Sequence, residues 1–136
     1  MSSEYSKCIQ IRIFTHTHTA YSSLDLPIFA KLYEFYEKLT LGIAIFPKTK
    51  RYTLGQKLDN ITLETFELLF SVSNSNNKTE TLYKISNKID LLKILLRLAN
   101  DTQALTNRSY LQLQEMLQEI GKMLGGWIRA TKQSLL

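Results

Sequence analysis

Residues 77–100, NKTETLYKISNKIDLLKILLRLAN, predict a long helix that is apolar on two sides. Asn77 followed three positions later by Glu80 is typical of a capped helix start, because such side chains satisfy free backbone donors of the first turn. One apolar stripe recurs at spacings of three and four residues: Ile85, Ile89, Leu92 and Leu96. A second stripe lies on a well-separated side: Leu91, Ile94, Leu95 and Leu98. A helix with two apolar sides is buried on both, so this stretch indicates a bundle core and a further contact.

The preceding segment, residues 53–72, also has two apolar stripes. Thr53 and Gln56 have the spacing of a capping box, so we expect the helix to begin there. Its main stripe has five members: Leu54, Leu58, Ile61, Leu68 and Val72. The second stripe lies on roughly the opposite side: Leu63, Phe66 and Phe70. The polar run of residues 73–77 predicts a loop to the next helix.

A further helix is predicted before this pair. Asp25 and Pro27 suit a first helical turn, and Pro47 ends the helix because it has no N–H donor and clashes with the preceding turn. The apolar residues between these bounds lie on one face: Phe29, Leu32, Tyr36, Leu39, Ile43 and Phe46.

The last helix is predicted from Thr106 or Asn107 to Lys132. Its apolar residues are spaced close to a heptad seam: Tyr110, Leu113, Leu117, Ile120, Leu124 and Trp127. Three glycines interrupt the pattern: Gly121, Gly125 and Gly126. Each costs about 1 kcal/mol relative to Ala, so we expect a close approach of another backbone or a kink there.

Four helices of similar length with short loops predict an all-α protein, an up-down-up-down four-helix bundle over residues 25–136. Residues 1–24 are predicted to form a separate tail, either a flexible leader or an edge strand, since Ile9, Ile11 and Ile13 alternate with polar residues. The second apolar stripes predict a homo-oligomer, because a monomer would expose them.

Composition excludes several classes of protein. Two prolines and five glycines in 136 residues are too few for a sandwich or barrel, and one cysteine excludes a disulfide framework. No apolar run is long enough for a membrane span, and polar residues near the N-terminus argue against export. We therefore expect a cytoplasmic protein without membrane contact.

Catalytic chemistry is not indicated. His16 and His18 are the only histidines, and nothing near them completes a metal site. Cys8 lacks an evident base, and no phosphate-binding glycine loop occurs. We expect neither catalytic residues nor a metal or other cofactor, with an enzyme built on the two histidines as a minor alternative.

Basic residues point to a polyanionic partner. The net charge is +5, and residues 47–57 alone contribute four cations without a carboxylate. Candidate contacts to nucleic acid or a polymerase are in this segment and in the following helix: Lys48, Lys50, Arg51, Lys57, Lys84, Lys88, Lys93 and Arg97. Tyr52, within the cluster, is expected to be a packing residue rather than a platform for base stacking. No base-reading motif occurs, so recognition of backbone and shape is expected.

Two motifs carry a family resemblance over about residues 26–132. Phe46-Pro-Lys48 followed by Arg51-Tyr-Thr-Leu-Gly55, and then the run from Glu119 to Ile128 with Gly-Gly-Trp, resemble the accessory variability determinant (Avd) proteins of diversity-generating retroelements. The related rRNA intervening-sequence proteins share the bundle and the Phe-Pro-Lys motif. Their Asn-Ile-Ala-Glu-Gly stretch is replaced here by Asn60-Ile-Thr-Leu-Glu64, which favours Avd.

The resemblance implies a homopentameric, basic barrel that binds the retroelement's reverse transcriptase and template-repeat RNA. It implies a non-catalytic role in mutagenic cDNA synthesis and retrohoming. It also implies that Arg97 is a basic position of the family pattern, and that Gly121, Gly125 and Trp127 serve packing. The oligomer interface is expected on the second stripes: Leu63, Phe66, Phe70, Leu91, Ile94, Leu95 and Leu98. The alternatives are an rRNA-associated bundle protein and a protein–protein adaptor without nucleic-acid binding.

Overall fold

The computed structural model describes residues 25–134, with side chains from residue 27 onward. Within this range the chain has four long helices and no strand: α1 (Asp25–Ala44), α2 (Gln56–Ser71), α3 (Lys78–Asp101) and α4 (Asn107–Ser134). Residues 45–55, here called the corner, connect α1 to α2 through a short α-helical turn, Lys48–Lys50, and a π-helical turn, Arg51–Gly55. The predicted tail, with Cys8, His16 and His18, lies outside the described residues.

The four helices form an up-down-up-down bundle, in which each helix packs against its neighbours in the chain and α1 also packs against α4. The Phe66 ring lies 6.1 Å from the Tyr36 ring, while Gly55 lies against Ile43, so α1 and α2 are antiparallel. Lys31 of α1 pairs with Glu119 of α4 at 2.7 Å. The predicted bundle is therefore the observed fold of the described chain.

The core confirms most of the predicted apolar faces. The first stripe of α3 and the seam of α4 are buried, with Tyr110 half-buried at the margin. Of the face predicted for the first helix, Leu32, Leu39 and Phe46 are buried. At two other positions the buried residue is the preceding one, since Ile28 and Phe35 are fully buried while Phe29 and Tyr36 are half-buried. In α2 the core includes Thr62, whose hydroxyl donates to the Leu58 carbonyl at 2.8 Å.

The two predicted helix caps have different outcomes. Asn77 Oδ1 accepts a hydrogen bond from the Glu80 N–H at 3.1 Å, which confirms the cap of α3. The capping box of Thr53 and Gln56 is wrong, since no side chain caps α2 and the Thr53 hydroxyl bonds to backbone carbonyls one turn earlier. The chain is already helical from Lys48, so the backbone donors at Gln56 have partners within the preceding turn.

Close packing occurs at two glycines other than those predicted, Gly42 and Gly55, and a Cβ on Gly42 would lie 3.2 Å from Leu105 Cδ1. A Cβ on Gly55 would lie 3.0 Å from Ile43 Cγ2, which is tighter than ordinary packing allows. A Cβ on Gly121 would lie 3.6 Å from Lys93 Nζ, an ordinary contact, and Gly125 and Gly126 have similar space. Within one chain, close approach at these three glycines is therefore wrong; α4 is helical throughout them.

Candidate nucleic-acid interface

One end of the bundle gathers basic residues from four elements: the corner, the start of α2, the end of α3 and the start of α4. Here the corner lies beside the end of α3 and the start of α4, because Lys50 reaches the Thr102 carbonyl and the Leu105 side chain lies against Gly42. We call this the corner end and define it as residues 45–59 and 97–108. It holds two carboxylates, Asp59 and Asp101, and six cations: Lys48, Lys50, Arg51, Lys57, Arg97 and Arg108.

Two of these cations hold the corner in place. Arg51 is half-buried, and its Nη2 donates to the carbonyls of Ala44 at 3.0 Å and Phe46 at 3.2 Å, at the carboxyl end of α1. Lys50 Nζ donates to the Thr102 carbonyl, just after α3, at 3.2 Å. Cations at helix C-termini satisfy free carbonyls and oppose the helix dipole favourably. Lys50 and Arg51 are thus engaged by the fold itself.

The other four cations of the corner end face solvent. Lys48, Lys57 and Arg108 are exposed and form no ion pair with a described residue. Arg97 is 76% exposed and lies 3.7 Å from Asp101, a surface pair that contributes little to stability. These four side chains are free to exchange water and counterions for phosphate groups.

The remaining predicted cations lie away from the corner end. Lys84, near the start of α3, pairs with Glu80 at 3.3 Å. Lys88 pairs with Glu64 of α2 at 2.6 Å, and this hydrogen bond holds the pKa of Glu64 below its ordinary value. Lys93 lies 3.6 Å from Asp90. Five of the eight predicted contacts therefore lie at the corner end, and the other three, Lys84, Lys88 and Lys93, lie elsewhere on α3.

Sequence reasoning missed Arg108. It lies in the first turn of α4, one loop after Arg97, and the antiparallel turn of residues 102–106 returns it to the same end of the bundle. The pattern of cations one turn apart on a single helix does not include this pair, because Arg97 and Arg108 lie on different helices. The predicted loop before Asn107 was the available signal, since a short helix–helix loop places its two flanks together.

A groove of about 400 Å³ opens beside the corner, between α1 and the start of α2. Its lining combines apolar, polar and charged groups: Thr40, Ile43, Ala44, Arg51, Tyr52, Gly55, Gln56 and Asp59. Tyr52 is 66% exposed at this groove, so the expectation of a packing residue is wrong. The π-helical turn carries Tyr52 outward while the adjacent Arg51 turns back to α1.

Asp59 lines this groove and also contacts Tyr36, which is half-buried. Burial raises the pKa of Tyr36, and a hydrogen bond to Asp59 together with the negative charge of Asp59 adds to this shift. A carboxylate has about four acceptor positions, so Asp59 keeps acceptor capacity toward the groove after serving Tyr36.

The residues predicted for an oligomer interface fall into two groups. Phe66 and Leu95 are half-buried, and the Phe66 ring packs on Phe29 and Tyr36 within the chain. The other five are exposed large apolar side chains: Leu63, Phe70, Leu91, Ile94 and Leu98. Leu91, Ile94 and Leu98 recur at helical spacing, so α3 presents an apolar band to its surroundings.

The described residues contain neither a membrane-spanning helix nor a cluster of metal ligands. Among residues 25–134, no helix combines the length and apolar character needed to cross a membrane. In the same range, no group of three or more His, Cys, Asp or Glu side chains is arranged to hold a metal ion.

Comparison with known proteins gives one match. A family model described as bAvd-like matches residues 26–131, which is the bundle without the preceding tail. Neither the curated proteins nor the solved structures give a significant match.

Proposed function

The chain belongs to the bAvd-like family, a kind of accessory protein, and on this premise we propose that it serves the reverse transcriptase of a diversity-generating retroelement. In this proposal the protein is not an enzyme. It binds the reverse transcriptase and the template-repeat RNA in the cytoplasm, and it supports mutagenic cDNA synthesis and retrohoming.

The observation that supports RNA binding is the corner end. Four solvent-facing cations, contributed by the corner, α2, α3 and α4, surround the end of one small bundle: Lys48, Lys57, Arg97 and Arg108. Lys and Arg neutralise phosphates without reading sequence, and each contact releases counterions. Such a surface suits a protein that holds an RNA backbone for another protein's catalysis.

A homopentamer is part of the proposal. The apolar band of α3 supports self-association, since exposed apolar patches mark contact surfaces. In a closed ring of identical chains, each corner end is repeated, and the summed positive potential attracts a polyanion more strongly than one chain does.

The test compares two sets of three substitutions that remove the same charge. Replacing Lys48, Lys57 and Arg108 with Gln should weaken RNA affinity by roughly the contribution of three phosphate contacts, with a flatter salt dependence. The matched control replaces Lys38, Lys78 and Lys122, which are exposed, lie outside the corner end and are not among the predicted contacts. Affinity is measured by fluorescence anisotropy with labelled RNA, and assembly by light scattering.

The outcomes separate the candidate functions. Equal loss in both sets would contradict an RNA surface at the corner end. If the native chain binds no RNA, the result supports the alternative of a protein–protein adaptor that uses the apolar band of α3. A failure of the native chain to enhance cDNA synthesis by its retroelement's reverse transcriptase would overturn the accessory role.

A further inference from the structure

We propose that Tyr52 and the groove beside it bind an unpaired base of single-stranded RNA, an inference that rests on the RNA binding proposed above. The site consists of the Tyr52 ring at the rim and polar groups within the groove. Lys48 and Lys57 lie outside it along the chain. This adds base stacking to a surface otherwise understood only as a phosphate contact.

Tyr52 is exposed to solvent at the corner. Its side chain is 66% exposed, and it forms no hydrogen bond or ring contact with another described residue. An aromatic ring offers a flat face on which any base can stack, at little entropic cost because the side chain has few rotatable bonds. Two aliphatic side chains near the same end of α1, Leu41 and Ile45, are also exposed.

The groove beside Tyr52 has the size and the polar groups to hold a base. Its volume of about 400 Å³ lies within the usual range of small-molecule sites. Gln56 offers a donor and an acceptor, Thr40 Oγ1 keeps acceptor capacity while it donates to the Glu37 carbonyl at 2.8 Å, and Ile43 and Ala44 supply apolar surface for a ring. The Asp59 carboxylate repels a phosphate but accepts hydrogen bonds from the amino or imino group of a base. The groove therefore fits a base better than a phosphate.

Two lysines flank Tyr52 along the chain. Lys48 lies four residues before Tyr52 and Lys57 five residues after it, in one continuous helical segment. Both are exposed at the corner end, so their side chains are available to the phosphates of a strand that binds there. Aromatic platforms combined with basic flanks are the general solution for binding single strands.

Duplex RNA does not fit this site. Its bases are stacked and paired, and sequence-independent recognition of the duplex uses the backbone and the minor groove. A single exposed ring at a helix corner can reach a base face only where the base is already unstacked. The inferred ligand is thus a loop, bulge or single-stranded segment.

The test uses the full chain and two probes, a labelled single-stranded RNA of about 15 nucleotides and an abasic chain of the same length and charge. Tyr52→Ala should lower affinity for the RNA by about fivefold to a hundredfold, the range measured for loss of one stacked base. Its affinity for the abasic chain and the slope of affinity against salt should not change, because no phosphate contact is lost. Tyr52→Phe should bind RNA like the native chain.

Tyr83→Ala is the matched control. Tyr83 is 43% exposed, carries Lys132 over its ring at 5.0 Å, and lies near the start of α3, away from the corner end. This substitution should leave RNA affinity unchanged. An equal loss in Tyr52→Ala and Tyr83→Ala would overturn the base site.

The remaining outcomes distinguish this inference from the function on which it rests. If the native chain binds both probes equally and Tyr52→Ala has no effect, the base site is wrong while phosphate binding stands. If the native chain binds neither probe, the proposed RNA function fails as well. If Tyr52→Ala weakens only binding of the reverse transcriptase, Tyr52 is a protein contact and the base site is overturned.

Discussion

Replacing Arg51 with Met should destabilise the bundle although Arg51 belongs to the basic cluster. The change removes one guanidinium nitrogen that donates to two carbonyls at the carboxyl end of α1, those of Ala44 and Phe46. Hydrogen bonds from charged groups contribute about 1.5–3 kcal/mol each, and the exposed Ala44 carbonyl will recover part of its loss from water.

Another effect acts in the opposite direction. Arg51 Nε is buried without a hydrogen-bond partner, and Met removes this unsatisfied donor, which returns about 1 kcal/mol. The Met side chain also keeps much of the apolar contact of the Arg stem. The net loss expected for Arg51→Met is therefore about 2 kcal/mol in the free energy of unfolding, well above the effect of a typical surface substitution.

The assay is urea denaturation followed by circular dichroism, with Lys48→Met as the matched control. Lys48 is three residues away, exposed and unpaired among described residues, so its change should stay within about 0.5 kcal/mol. The midpoint should fall for Arg51→Met with an unchanged slope, since the folded state is the same. Equal midpoints for the two variants would refute the assignment of Arg51 to the fold.

Three further predictions concern glycines, pH and assembly. Gly55→Ala should leave the chain less stable than Gly121→Ala does, because a Cβ on Gly55 would lie 3.0 Å from Ile43 Cγ2 and offset the gain of about 1 kcal/mol in helix propensity, whereas a Cβ on Gly121 would meet only Lys93 Nζ at 3.6 Å. Thermal unfolding that ranks the two variants in the reverse order would contradict this packing. The Lys88 pair lowers the pKa of Glu64, so its stabilisation is present above the ordinary pKa of 4.5 and lost as pH falls through the lowered value. The difference in Tm between the native chain and Lys88→Met should therefore shrink as the pH falls below 4.5, and a constant difference would count against the pair. Ile94→Asp should reduce the oligomer to smaller species in light scattering without loss of helical content, since Ile94 is 65% exposed in the single chain; an intact assembly would exclude Ile94 from the interface.

The sequence predicted the helices well because their apolar periodicity is long and repeated. Its errors lie where apolar periodicity does not show which residues are buried. Ile28 and Phe29 are adjacent and both apolar, as are Phe35 and Tyr36, so a stripe can be drawn one residue off without losing its spacing. Buried Thr65 was missed for a different reason, because its hydroxyl bonds to the Ile61 carbonyl of its own helix and needs no partner elsewhere.

The site was predicted in composition but not in arrangement. Charge along the chain found the basic corner, yet it could not show that Arg51 turns back to cap α1, because that depends on the π-helical turn. It also could not join Arg108 to Arg97, which meet at one end only through the bundle topology. The exposure of Tyr52 has the same origin, since the turn decides which of two neighbouring side chains faces inward.

The salt dependence of RNA binding by the native chain tests the central claim most directly. Affinity for template-repeat RNA is measured from about 50 to about 200 mM salt, and the slope of its logarithm counts the phosphates neutralised. We expect a steep linear fall, corresponding to several phosphate contacts for each assembly, and a flatter slope for the variant with Gln in place of Lys48, Lys57 and Arg108. Affinity that is negligible at low salt, or unchanged across this range, would contradict it.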